Sequence, residues 1–110
     1  MEDRMIELAE QLVELGEEMI KNKLKCEHAL TANLPRIRQI RNNIGIEMAY
    51  HELLVDGFLL DEERIAVQTW YDKWKMLENK IKMAEVLLNT LRAKLSYSQT
   101  EMNFKMKGGG

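Results

Sequence analysis

Residues 67–102 read VQTWYDKWKMLENKIKMAEVLLNTLRAKLSYSQTEM. Within this stretch Val67, Trp70, Trp74, Leu77, Ile81, Ala84, Leu88, Leu91, Leu95, Ser98 and Met102 recur at alternating steps of three and four. Only Ser98 among them is polar, and Ala84 is small. An apolar period of 3.5 residues held this long marks a helix laid against another helix along a coiled-coil seam. A helix over 61–105 would run about 67 Å at 1.5 Å per residue, too long to stand without a partner along its side.

Working towards the N-terminus, the boundary before this helix falls at Gly57 and Asp61. Gly57 can take the left-handed conformation that closes a helix, and Asp61 can cap the next one, with Glu62 and Glu63 in its first turn. A second boundary falls at Thr31-Ala32-Asn33-Leu34-Pro35. Proline lacks an N–H and clashes with the preceding turn, so a helix is expected to stop or kink there, with Asn33 as the next cap. The expected helices are therefore 3–31, 35–55 and 61–105, within one helical domain over 1–107. Gly108–Gly110 follow as a flexible tail. Asn42, Asn43 and Gly45 are poor helix formers and predict irregularity in the second helix.

The first helix carries a matching seam: Met5, Leu8, Leu12, Leu15, Met19, Asn22, Cys26 and Ala29. Beside it runs a second row, Ile6, Ala9, Val13 and Ile20. The second helix also has two rows, Ile37, Ile40, Ile44, Met48 and Ile46, Tyr50, Leu53. Two rows make an apolar face wider than one partner helix covers. The fold class that follows is all-α: an elongated antiparallel helical hairpin, or three-helix arrangement, with coiled-coil packing completed by oligomerisation. A dimer is the favoured oligomer. A parallel homodimer through the third helix competes with the hairpin, because it would set Lys73 against Glu78 and Lys80 against Glu85 of the other chain.

Composition bounds the rest. The chain has 110 residues, 45% hydrophobic and 31% charged, with one Pro and six Gly. So little turn punctuation argues against a sandwich or barrel. No run is apolar enough for a bilayer, no membrane partner is expected, and the acidic, helix-like start is not expected to act as a targeting peptide. The lone Cys26 excludes an intrachain disulfide and a Cys-based zinc site, and a reducing cytoplasmic setting is the expectation. Charge falls in blocks of −6 over 1–18, +5 over 19–41, −6 over 42–63, +3 over 64–82 and +2 over 83–110. Alternating blocks can set the alignment of segments within or between chains.

Candidate sites follow, each with its plainer reading. Trp70 and Trp74, one turn apart, suit a partner anchor or core packing near the turn against Tyr50 and Leu53. Ile6, Val13, Ile20 and Ile46 suit a protein-binding face. Eight Met residues suit an adaptable surface or gap filling, and Met48, Met76, Met83 and Met106 lie off the main seams. Arg36, Arg38 and Arg41 with Lys73, Lys75, Lys80 and Lys82 could form one basic belt for anions or nucleic acid if residue 38 lies beside residue 78. The alternative is a solvated face of long side chains lying over apolar rows. Glu47 and His51, four apart, lack the paired Glu-x-x-His of a bundle metal site, and His28 stands alone. No phosphate loop or catalytic constellation is present, so neither an enzyme nor a cofactor is expected. The expected function is a non-catalytic interaction module, an adaptor, scaffold or inhibitor of a larger protein, with an anion- or nucleic-acid-binding regulator as the alternative.

Overall fold

The computed structural model describes residues 2–108, with side chains over residues 2–97. It is all-helical, and three helices follow in order: α1 (Glu2–Ile40), α2 (Ile46–Leu53) and α3 (Asp61–Gly108). Of the expected tail, Gly108 ends α3 and residues 109 and 110 lie outside the described residues. The side chains of Ser98, Met102 and Met106 lie outside them as well.

α1 and α3 pack side by side and antiparallel. Glu18 meets Lys73, Lys25 meets Trp70 and Lys23 meets Trp74, so facing residue numbers add to between 91 and 97. The molecule measures 75 × 27 × 17 Å. Its long dimension is that of α3, whose 48 residues span about 72 Å. The seams are what the two helices bury between them. On α3, Val67, Trp74, Leu77 and Leu88 are buried, and Trp70, Ile81, Ala84, Leu91 and Leu95 are half-buried. On α1, Leu8, Asn22 and Cys26 are buried, and Met5, Leu12, Leu15, Met19 and Ala29 are half-buried. Asn22, the one polar residue in this buried set, donates its amide N–H to the Glu18 carbonyl at 2.8 Å. Its burial therefore leaves that donor satisfied.

Three boundaries differ from the sequence expectation. Pro35 does not end the first helix: α1 passes through it to Ile40. Leu30, Leu34 and the fully buried Ile37 tie this segment to the core, which outweighs the proline penalty. Asn33 is correspondingly no cap; its amide donates to the Ala29 carbonyl at 2.7 Å inside the helix. The break falls instead at residues 41–45, where Asn43 adopts φ 62°. Asparagine tolerates the left-handed region better than most residues. The second helix thus shrinks from 35–55 to the eight residues of α2. At α3 the Leu60 carbonyl accepts the first helical bond, from the Arg64 N–H, so Leu60 holds the cap position and Asp61 is the first helical residue. Gly57 has φ 87°, the left-handed turn expected of it.

α2 and its loops plug the turn end of the hairpin. Ala49, Tyr50 and Leu53 join Cys26, Leu30, Ile37, Leu59, Val67 and Trp74 in one cluster. This plug takes up the chain between α1 and α3, which is why the register differs from that of a simple hairpin centred on Phe58.

Candidate interaction surface

Each long helix uses one face for the partner helix inside the chain, and a further apolar row remains outside. On α1 that row is Ile6, Val13 and Ile20, between 52% and 60% exposed, with the small Ala9 and Gly16 filling the steps between them. Leu24, one turn on, is also exposed. Adding a Cβ at Gly16 would meet nothing within 4 Å, so the row has open space above it. Farther along α1 the same helix side carries Lys23, Glu27 and Leu30, which line a groove with Ile46, Tyr50, Tyr71 and Trp74. The α1 row therefore lies on the side of the hairpin that α2 occupies at the turn end.

α3 has its own outer row, which the seam reading missed. Met76, Met83 and Val86 are exposed, Met83 by 73%, and Leu87 by 40% beside them. The signal was in the sequence: Met76, Asn79, Met83, Val86 and Thr90 repeat the three–four spacing one face away from the main seam. Met83 opens onto a groove lined by Gln11, Glu14, Leu15, Glu18, Leu77 and Lys80. That groove is on the side of the hairpin opposite α2.

The sequence-derived candidates separate accordingly. Ile6, Val13 and Ile20 stand on the exposed α1 row, and Ile46, 71% exposed, begins α2. Trp74 does not join them. It is 8% exposed, stacked edge-on against Tyr50 at 5.7 Å and Tyr71 at 5.7 Å, because its seam position faces the turn-end core. Its indole Nε1 is buried without a hydrogen-bond partner. Trp70 is half-buried, with the Lys25 ammonium 5.5 Å from its ring centroid.

The seven basic residues do not form one belt. Arg36 stacks on Phe58 at 4.0 Å and donates to the Phe58 carbonyl at 2.7 Å, and Arg41 pairs with Glu52 at 3.9 Å. These two, and Arg38 between them in sequence, belong to the turn end. Lys73 pairs with Glu18 at 2.9 Å, and Lys82 with Glu78 at 3.7 Å. Lys75 lies 4.2 Å from the Trp74 ring centroid. The Lys73–Lys82 segment begins about 18 Å along the axis from the start of α3, from the twelve residues of helix rise between Asp61 and Lys73. The separation follows from the observed register.

Electrostatics at the helix contact are local. Lys73 lowers the pKa of Glu18 through a hydrogen bond and its charge. Burial raises the Cys26 thiol to about 11 and the Tyr50 phenol to about 12, and it raises Tyr71 in the same direction. All three stay in their neutral forms at neutral pH, so none is an activated nucleophile. His28 and His51 are exposed, and among the described residues no group of three His, Cys, Asp or Glu side chains is placed to hold a metal ion. No helix of the described residues is long and apolar enough to cross a membrane.

No family model, curated protein or solved structure matches this chain. The surface itself is therefore the ground for a functional reading.

Proposed function

We propose that this chain is a non-catalytic helical interaction module, an adaptor, scaffold or inhibitor of another protein, acting in the cytoplasm through its outer apolar rows. The observation that carries the reading is the Ile6–Val13–Ile20 row. The α1 seam is already filled by α3, yet this second row stays more than half exposed over four turns. Isolated exposed apolar residues are ordinary, but an ordered row at helical spacing is the pattern of a helix-in-groove or helix-on-helix contact. Covering the exposed part of each of these side chains is worth about 1 kcal/mol.

The buried, neutral Cys26 suits a reducing compartment, which is the basis for the cytoplasmic setting. The engagement of Arg36 with Phe58, Arg41 with Glu52 and Lys73 with Glu18 favours this reading over an anion-binding one.

The test is site-specific photo-crosslinking in cells. A photoreactive residue at Val13 is expected to give protein adducts, while one at Gln39, exposed on α1 away from the row, gives none. Absence of adducts from position 13, with the chain folded and expressed, removes the proposal.

A further inference from the structure

Resting on that reading, we infer that the apolar row of α1 in one copy is covered by the outer row of α3 from a second copy, with the two hairpins parallel and side by side.

The two rows match in spacing. On α1 the positions are 6, 9, 13, 16 and 20; on α3 they are 76, 79, 83, 86 and 90. Each follows the same three–four pattern, over about 21 Å of helix. They also match in register. If the incoming α3 lies antiparallel to α1 with the alignment seen inside the chain, Ile20 meets Met76, Val13 meets Met83 and Ile6 meets Thr90. These pairs fall within the 91–97 range of the intrachain contacts. Side-by-side copies therefore need no shift along their length. Small positions then face larger ones: Val86 comes over Ala9, and Asn79 over Gly16, where the space is open. The Thr90 hydroxyl already donates to the Val86 carbonyl at 2.8 Å, so covering it strands no donor.

Charge selects this pairing over the symmetric ones. The α1 row is bordered on one side by Asp3, Glu10 and Glu17, and the α3 row by Lys73, Lys80, Leu87 and Lys94. In the same alignment Glu17 meets Lys80 and Asp3 meets Lys94, while Glu10 falls beside Leu87. Among the described residues Asp3, Glu17, Lys80 and Lys94 make no ion pair within the chain. An antiparallel α1–α1 contact centred on Val13 would instead set Glu10 against Glu17. An α3–α3 contact centred on Met83 would set Lys73 against Lys94. Both juxtapose like charges, which weakens wrong pairings.

The rows open on opposite sides of the hairpin, so no copy covers its own. Each copy offers one row and receives another, a heterologous contact that builds rings where the rotation closes and extended assemblies where it does not. α2 occupies the receiving side beyond Lys23. The incoming helix must therefore cross α1 obliquely, and exposed Leu24 extends the row outward from α2. A crossing of about 20° is ordinary for helices packed in this way.

The experiment is solution mass by light scattering or sedimentation on the full chain and two variants. Val13→Arg disables the α1 row and Met83→Glu disables the α3 row; both sites are exposed, so helical content by circular dichroism stays unchanged. Wild type is expected above the 12.9 kDa monomer mass, rising with concentration. Each variant alone is expected to be a monomer. Their equimolar mixture is expected to regain association, to at least twice 12.9 kDa, since each brings the row that the other lacks and the two introduced charges are opposite in sign at the remaining contact. Wild-type mass retained by Met83→Glu overturns the inference in favour of a symmetric α1 contact. A monomeric wild type up to millimolar concentration also overturns it, and crosslinks from position 13 to a different protein would then still uphold the broader reading.

Discussion

Trp74 carries two roles that pull in opposite directions. Its ring closes the aromatic contact with Tyr50 and Tyr71, and its Nε1 sits buried without an acceptor. Trp74→Ala should lower stability in denaturant titration by about 3–5 kcal/mol, while Val13→Ala should change it by about 0.5 kcal/mol or less. Trp74→Phe should lose less than Trp74→Ala, because it keeps a ring and removes the unsatisfied N–H. Equal losses for Trp74→Ala and Val13→Ala would contradict the assigned burial. Tyr50 and Cys26 lie in the same cluster and set an alkaline limit. Unfolded, the phenol and thiol ionise near 10.0 and 9.0; folded, burial holds them at about 12 and about 11. Above pH 9 the unfolded chain releases protons that the folded chain retains, so stability is complete below that pH and falls as pH rises towards 12. Denaturation midpoints measured from neutral to alkaline pH should decline over this window, and less steeply in Tyr50→Phe. That Trp74 packs in the core near Tyr50 and Leu53 could be read from its seam position. Its stranded indole could not, because that depends on which atoms neighbour a single nitrogen.

Pro35 shows where local preference misleads. Proline costs a helix interior about 3 kcal/mol relative to alanine, which made residue 35 the natural place to end the first helix. Burying Ile37 and Leu30 returns about 1.5–3 kcal/mol each, and these residues meet the core only if the helix continues in line. Distant contacts therefore decide the boundary, and the residues that supply them lie on α2 and α3. The weaker signal, Asn42-Asn43-Ile44-Gly45, marks the true break, because nothing buries there strongly enough to oppose it apart from half-buried Ile44. Gly57, by contrast, behaves as its sequence implies, since a left-handed turn is a local demand. If Pro35 is tolerated and not required, Pro35→Ala should stabilise the chain, by up to about 3 kcal/mol, because the exposed position regains an N–H for the Thr31 carbonyl. Thermal unfolding checks this, and a lowered melting temperature would mean that proline shapes α1 in a way its exposed position does not suggest.

The heptad pattern made the pairing of two long helices legible, while their register depended on the plug formed between them. Had the helix continued to a turn at Phe58, Arg38 would lie beside Glu78; with α2 folded into the turn end, Glu18 meets Lys73 instead. The same plug makes the rod uneven. Among the described residues, nine of the twelve buried apolar side chains belong to the turn-end cluster, and only Leu8, Leu77 and Leu88 are buried outside it. The arm is thus a two-helix contact with little core, and two helices side by side are held less firmly than a plugged end. Local opening follows buried contact density, so amides over 5–20 and 80–97 should exchange hydrogen faster than those over 26–37 and 67–77. The outer rows of α1 and α3 occupy this same weak arm. Association through them would supply the apolar burial that the arm lacks. Raising protein concentration should therefore slow exchange in the arm and leave the turn end unchanged, a contrast that hydrogen-exchange mass spectrometry reads directly. Protection that is uniform along the hairpin, and indifferent to concentration, would mean that the two-helix contact suffices by itself and that its outer rows do not stabilise it through association.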